Sequence, residues 1–333
     1  MLERNGKVLA TVGPVLPSDV KLRRAQALSS KNGLDILISR KLIAHKLNSQ
    51  EHVARAMLGN ADAADSIANW RIALDSANTL ERIRSFESRA AATYWQAWQA
   101  VPVVFQSKDL SRVPEHWRIF GSRMSPLSHS PRLAANPANA LLNYLYALLE
   151  AESRLAAATL GLDPGMGFLH LDSNRRDSLA FDLMEPVRPQ VDAFLLDILA
   201  RQNVKREWFF EQRDGNCRLM AGITAILAET TGQWAAAVAP IAEWITQTLW
   251  QESKDKGWKA PATRLTQRKK LDARHLLERM DKKKQAGFCE NCGRAAERRC
   301  RLCRGCLAKK FKAQRQSYAR IRQMNSALPM YRN

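Results

Sequence analysis

Long apolar spans, dispersed cysteines and, at one end, acidic residues are all scarce in this chain of 333 residues. No uncharged apolar span of eighteen residues occurs, so nothing in it reads as a transmembrane helix. The longest apolar run, Ala140 to Leu160, carries Glu150, Glu152 and Arg154 in its second half, where charges are costly in lipid. Leu2 to Val20 lacks the apolar core that follows a basic start in a secretory signal. Outside Cys289 to Cys306 only Cys217 occurs, most simply a small buried apolar side chain. Five thiols crowded into one short segment do not make a disulfide framework; they point to metal and a reducing, cytoplasmic compartment. Lys254 to Asn333 holds 24 Lys or Arg against 6 Asp or Glu, whereas residues 1–253 hold 28 against 26. The formal charge of +20 therefore belongs to the tail. Such a field calls for a polyanionic partner, nucleic acid before membrane.

What is present centres on Asn139 to Pro189. Ala140 to Leu160 is apolar or small on nearly every helical side, so the helix has to be buried. Gly161 supplies a left-handed stop and Pro164 prevents a restart. A buried helix with carboxylates needs compensation, because an ionised carboxylate in an apolar interior costs several kcal/mol. Glu150 and Glu152 are two positions apart and face different directions; one can meet solvent or an arginine, and the other looks inward. Gly167-Phe168-Leu169-His170 follows, then the polar stretch LDSNRRD. Ser178 reads as the N-cap of a second helix running to Arg201, with Asp182 and Glu185 at i,i+3 on one face. Two or three carboxylates with one histidine form the oxygen and nitrogen shell that suits magnesium or manganese.

The runs LLNYLYALLEAE, GLDPGMGFLH and SLAFDLMEPVRP, with FESRAAATYWQAW and NPANALLNY upstream, resemble the catalytic domain of the CRISPR-associated adaptation integrase family. The resemblance covers roughly Ser18 to Arg268. It implies a metal-dependent DNA endonuclease that inserts spacers into CRISPR arrays, an antiviral role, with Mg2+ or Mn2+ held by Glu152, His170 and Glu185. Asp182 is an acidic neighbour, and Glu150 matches the family spacing less well than Glu152. It also implies double-stranded DNA, a companion adaptation protein and a homodimer within a larger integration complex.

The expected fold class is mainly α. Residues 1–17, with one strand candidate at Lys7 to Val12, read as the remnant of an N-terminal β domain. Residues 18–253 form the α-helical catalytic domain, opened by Ser18 as a cap. Helix is expected continuously from Asp62 to Val101, with Trp70, Ile72, Leu74, Leu80 and Ile83 on a core face and Trp95 and Trp98 packed there too. Glu87, beside Arg84 and Arg89, reads as a surface charge. The loop Pro102 to Pro137 offers Arg112, Arg118, Arg123, Arg132 and His129 as phosphate contacts. A short strand pair turns at Asp214-Gly215, and Trp234 to Trp250 closes the core.

Residues 254–284 form a basic helical linker and 285–312 a zinc-finger-like cluster, followed by a basic tail, 313–333. Cys289, Cys292, Cys300 and Cys303 make two knuckles for one Zn2+, with Cys306 as the alternative fourth ligand. Arg298, Arg299, Arg304, Lys309 and Lys310 beside them, and Arg188 beside the acidic pair, are the candidate DNA contacts. Two other functions fit the same residues. One is a non-catalytic DNA-binding protein that uses the basic zinc tail, and the other is a related transposon integrase.

Overall fold

Asp19, rather than Ser18, opens the first helix: its carboxylate accepts the amides of Lys21 and Leu22 at 3.0 and 3.1 Å. In the computed structural model the described residues are 19–252, apart from 127–128, 132, 171–175 and 202–203. They belong to one compact unit, Met1–Thr263. The Lys7 to Val12 strand, Arg132, the linker, the cysteine cluster and the tail lie outside the described residues.

The chain runs through α1 (Val20–Ala27), the single turn α2 (Ser29–Asn32) and α3 (Leu34–His52), which a π-helical turn extends over Val53–Met57. Helix α4 (Ala61–Ala73) is capped by Asn60, and α5 (Leu80–Trp98) by Thr79. The helix expected over Asp62 to Val101 is thus two helices. Ser76 turns its hydroxyl to the Ala73 carbonyl at 2.8 Å and Thr79 accepts the Arg82 amide at 3.3 Å, so short polar side chains divert the backbone between them. Ile72, inside α4 and two positions from both Trp70 and Leu74, falls on the opposite face and is 62% exposed, whereas Leu74 and Ile83 are fully buried as expected. Trp98 is buried and Trp95 stacks on Phe120 at 5.8 Å, which makes both part of the packing.

An irregular stretch leads to α6 (Pro137–Thr159). Asn136 caps it by accepting the Asn139 amide at 2.9 Å, and Pro137 takes the first position, where its missing N–H costs nothing. No residue of α6 is exposed. The helix closes at Gly161, φ +80°, with the Leu162 amide reaching back to Ala157 at 3.0 Å. Helices α7 (Ser178–Met184) and α8 (Arg188–Ala200) follow, then the antiparallel hairpin β1 (Phe209–Glu211) and β2 (Cys217–Leu219), then α9 (Ala221–Ala228) and α10 (Thr231–Glu252). Gly215 makes the expected hairpin turn with φ +78°. Cys217 is buried, which pushes its thiol up to about 12.

Helix α6 packs against α7, α8 and α10, while α3 touches α5, α7 and α8. Two stretches far apart in sequence are thereby brought to the acidic end of α7. Among the described residues no helix is long and apolar enough to cross a membrane.

Candidate metal-binding site

The helix expected from Ser178 to Arg201 is broken at Glu185–Val187. Pro186 and Pro189 each lack an amide to continue the ladder, so α7 stops and α8 restarts with proline in its first turn. Asp177 occupies the cap position, and Ser178 is the buried first residue of the helix. The break leaves Glu185 as the residue that ends α7 and Arg188 as the one that opens α8.

Asp182 is wholly buried and fully engaged. Its Oδ2 accepts the amides of Phe168 (2.6 Å) and Leu169 (3.0 Å); its Oδ1 accepts the amide of His170 (3.1 Å) and meets His170 Nδ1 at 2.6 Å. One carboxylate therefore gathers three successive amides and an imidazole. With Nδ1 held against Asp182, Nε2 is the ring nitrogen left to act as a donor atom, as in the carboxylate–histidine pairs that orient metal ligands. Arg84 of α5 braces the same loop from the other side, donating from Nε to the Leu169 carbonyl at 2.8 Å. Gln26 of α1 holds its beginning, donating to the carbonyls of Asp163 (2.9 Å) and Met166 (2.7 Å). Gly167 has no alternative in this wrap: a Cβ there would stand 2.7 Å from both the His170 carbonyl oxygen and the Ser178 Cβ.

Glu185 is 3% exposed and meets cations instead. Lys46 Nζ of α3 stands 2.6 Å from Oε2 and Arg188 Nη1 2.9 Å from Oε1. His170 Nε2 approaches Oε1 at 4.0 Å. Burial alone would raise this carboxyl, but Arg188, Lys46 and His170 outweigh it and hold it down at about 2. Lys46 is itself buried, and it also pairs with Glu87 of α5. Burial lowers the affinity of this amine for its proton, yet the Glu185 and Glu87 carboxylates keep it above its ordinary value. Arg188 lies over the Tyr146 ring at 5.3 Å.

On α6, Glu150 takes Arg154 at i,i+4 (2.7 Å), and Arg154 also reaches Asp177 at 3.0 Å. That is the division expected of the two glutamates. Glu152 is half-buried, and burial alone raises its carboxyl.

The predicted ligands are thus partly assembled. His170 and Glu185 converge, and Glu152 lies on the helix packed against α7. Among the described residues no three His, Cys, Asp or Glu side chains stand together as a ready ligand cluster. The reason is visible: Asp182 is committed to the backbone and Glu185 to two cations. The donor types still fit a hard divalent ion, which takes carboxylate oxygens and an imidazole nitrogen.

Sequence reasoning missed Lys46, Glu87 and Arg84, all of which reach this site. It also missed Asp192, buried in α8 and receiving the hydroxyls of Tyr94 (3.0 Å) and Tyr146 (2.6 Å). The described arginines of the Pro102–Pro137 loop have partners within the chain. Arg112 pairs with Asp109; Arg118 donates to the Leu110 and Val113 carbonyls; Arg123 donates to Pro131, Asn139 and Asn143. Arg118 and Arg123 brace the loop's own backbone and the start of α6, while the Arg112 side chain stays 67% exposed beside Asp109.

The family model for CRISPR associated protein Cas1 matches residues 1–231. The chain belongs to the Cas1 family. CRISPR-associated endonuclease Cas1 1 of Archaeoglobus fulgidus is 32% identical over 237 residues, 66% of this chain and 65% of that protein. CRISPR-associated endonuclease Cas1 2 of Rhodospirillum rubrum is 34% identical over 235 residues, 66% of this chain and 63% of that protein. The alignments thus span just under two thirds of these curated Cas1 relatives. In fold, the chain resembles a casposase bound to integration product (TM-score 0.60, 21% identity, 79% of this chain and 74% of that one). It likewise resembles a CAS1 protein from Thermotoga maritima (TM-score 0.59, 19% identity, 78% and 79%). The matched Cas1 segment ends before the basic tail.

Proposed function

We propose that the chain is a divalent-metal-dependent DNA endonuclease and integrase that inserts spacer DNA into CRISPR arrays. The observation that carries this reading is the approach of His170 Nε2 to the buried Glu185 carboxylate, with His170 oriented by Asp182, in a Cas1 fold. Glu152, His170 and Glu185 would hold Mg2+ or Mn2+, which would supply a Lewis acid to a DNA phosphate and activate a 3′-hydroxyl or a water for in-line attack. Asp182 holds Nδ1 of the imidazole, which leaves Nε2 as the nitrogen that would face the ion. Arg188 and Lys46 supply fixed positive charge where negative charge gathers on a phosphate. A DNA 3′-end as nucleophile gives integration; water gives nicking.

The partners proposed with this activity are double-stranded DNA, a companion adaptation protein and a second copy of the chain, in the cytoplasm. The domain division is proposed as above, with Zn2+ on Cys289, Cys292, Cys300 and Cys303 or Cys306. The basic residues beside the cluster would carry sequence-independent phosphate binding. The test is strand transfer of a labelled duplex with free 3′-hydroxyls into a supercoiled plasmid, with Mn2+ or EDTA. Joining should need the metal and vanish in Glu152→Ala and His170→Ala; variants that join as fast as the parent would overturn the site.

One observation favours a second reading. The tail holds nearly all the net charge, so DNA binding without joining describes a non-catalytic protein. Deleting 254–333 separates the two: an integrase with a helper tail keeps metal-dependent nicking, and a tail-driven binder loses all DNA affinity. The fold shared with a casposase keeps a transposon integrase as a variant of the first reading.

A further inference from the structure

Lys46 has no role in the ligand set, yet it is the side chain that touches Glu185 most closely. It sits on α3 among Leu42, Ile43 and Leu47, all 2% exposed or less, and is itself 4% exposed. A lysine in such surroundings is costly unless its charge is matched, and two carboxylates match it. Glu185 Oε2 stands 2.6 Å from Nζ on one side, and Glu87 Oε1 bonds Nζ on the other. Glu185 Oε2 accepts no hydrogen bond beyond that ion pair. The two cations on Glu185 also differ in their other support. Arg188 rests on the Tyr146 ring, whereas Lys46 has a second carboxylate of its own.

We propose that Lys46 is a resident counter-cation for the metal site. With no divalent ion bound, it holds Glu185 ionised and in place. When the ion arrives, Glu185 turns to it and Glu87 keeps the ammonium. Glu87 is the residue that makes the exchange feasible, because without it Lys46 would be left as an unpaired buried charge. Before the exchange Lys46 and Arg188 offset Glu87 and Glu185; afterwards Glu87 keeps Lys46, the ion's two charges meet Glu185 and the half-buried Glu152, and Arg188 is left as one positive charge for an anionic phosphate. This inference rests on Glu185 being a metal ligand.

The prediction has a sign that a bracing role does not share. In Lys46→Met, which keeps length and loses charge, Glu185 Oε2 loses its competitor for the ion and only Arg188, on Oε1, remains. Mn2+ should bind about tenfold tighter than to the parent, since a competing occupant of the apo state has been removed. In Glu87→Gln the ammonium depends on Glu185 alone, and Mn2+ should bind weaker by a similar factor. The full chain is titrated with Mn2+, reading free ion by electron paramagnetic resonance, with melting temperature in Mn2+ and in EDTA as the second readout. Lys46→Met should melt below the parent in EDTA and gain more than the parent from Mn2+. Opposite shifts in the two variants support the exchange; shifts of the same sign, or none, overturn it. Should Lys46→Met fail to fold, Glu87→Gln alone decides, because unchanged or tighter Mn2+ binding there is incompatible with the proposal. Glu185→Gln separates the two layers. If it binds Mn2+ as well as the parent, the ligand assignment fails and the Lys46 inference falls with it. If Glu185→Gln loses Mn2+ while Lys46→Met and Glu87→Gln match the parent, only the Lys46 inference fails.

Discussion

Glu185 and Asp192 lie seven residues apart, both almost free of solvent, and the protein treats them in opposite ways. Around Glu185 the partners are cations, and the carboxyl is held at about 2. Around Asp192 the nearest donors are the neutral hydroxyls of Tyr94 and Tyr146, with Arg188 and Arg123 further off, and burial lifts the carboxyl to about 6. Phenols satisfy the hydrogen-bonding capacity of a carboxylate without cancelling its charge. The first environment holds the carboxylate charged against matched cations. The second stitches α5, α6 and α8 together through Tyr94, Tyr146 and Asp192.

Substitutions test that difference, beginning with the largest. Glu185→Gln leaves buried Lys46 and half-buried Arg188 with only Glu87 between them, and should lower unfolding free energy by about 3–5 kcal/mol. Urea midpoints measure it; a loss below about 1 kcal/mol would mean that the cations are solvated after all. Asp192→Asn should act differently and with pH. Its folded value of about 6 stands above the ordinary 3.8, so the folded chain binds the extra proton more tightly. That contribution to stability is complete below about pH 4 and is lost as pH rises to about 6. Neutralising Asp192 removes the loss, which for two pKa units is at most about 3 kcal/mol. Melting temperature followed from pH 4 to 7 should fall in the parent over that window and stay flatter in Asp192→Asn. Parallel profiles would dissolve the contrast with Glu185.

Tyr146→Phe removes one donor to Asp192 and should cost about 1–2 kcal/mol while pushing Asp192 higher still, read by NMR titration of its carboxyl carbon. The smallest effect sets the floor. Arg55→Ala breaks an exposed pair with Asp65 at 2.6 Å and should leave the urea midpoint within experimental error of the parent.

The same contrast explains what was legible in the sequence. Local signals were readable where the cause is local: the apolar run and Gly161 stop of α6, the Asp214-Gly215 turn, and the split roles of Glu150 and Glu152. The break between α7 and α8 follows from Pro186 and Pro189 and was available to a stricter reading of proline. Glu87 was not recoverable, because its partner Lys46 lies 41 positions away on another helix and nearby Arg84 and Arg89 suggested local pairing. Lys46 itself left a trace. A lysine among Leu42, Ile43 and Leu47 on an apolar helix face signals a buried charge that needs a carboxylate, though not which one. The carbonyl partners of Arg118 and Arg123 were not legible, because chemistry that suits a phosphate suits a backbone carbonyl equally well.

The grip of Asp182 on Phe168, Leu169 and His170 has one more consequence, concerning the order of assembly. Three amides and an imidazole share a single carboxylate that becomes strong only when water has left it. Until α7 has docked and buried Asp182, the loop has nothing to wrap around and His170 points nowhere in particular. The placement of the imidazole therefore depends on α7 being packed against the loop, and Gly167 leaves no slack for a looser arrangement. A half-folded copy of the chain carries all its chemical groups and none of their alignment.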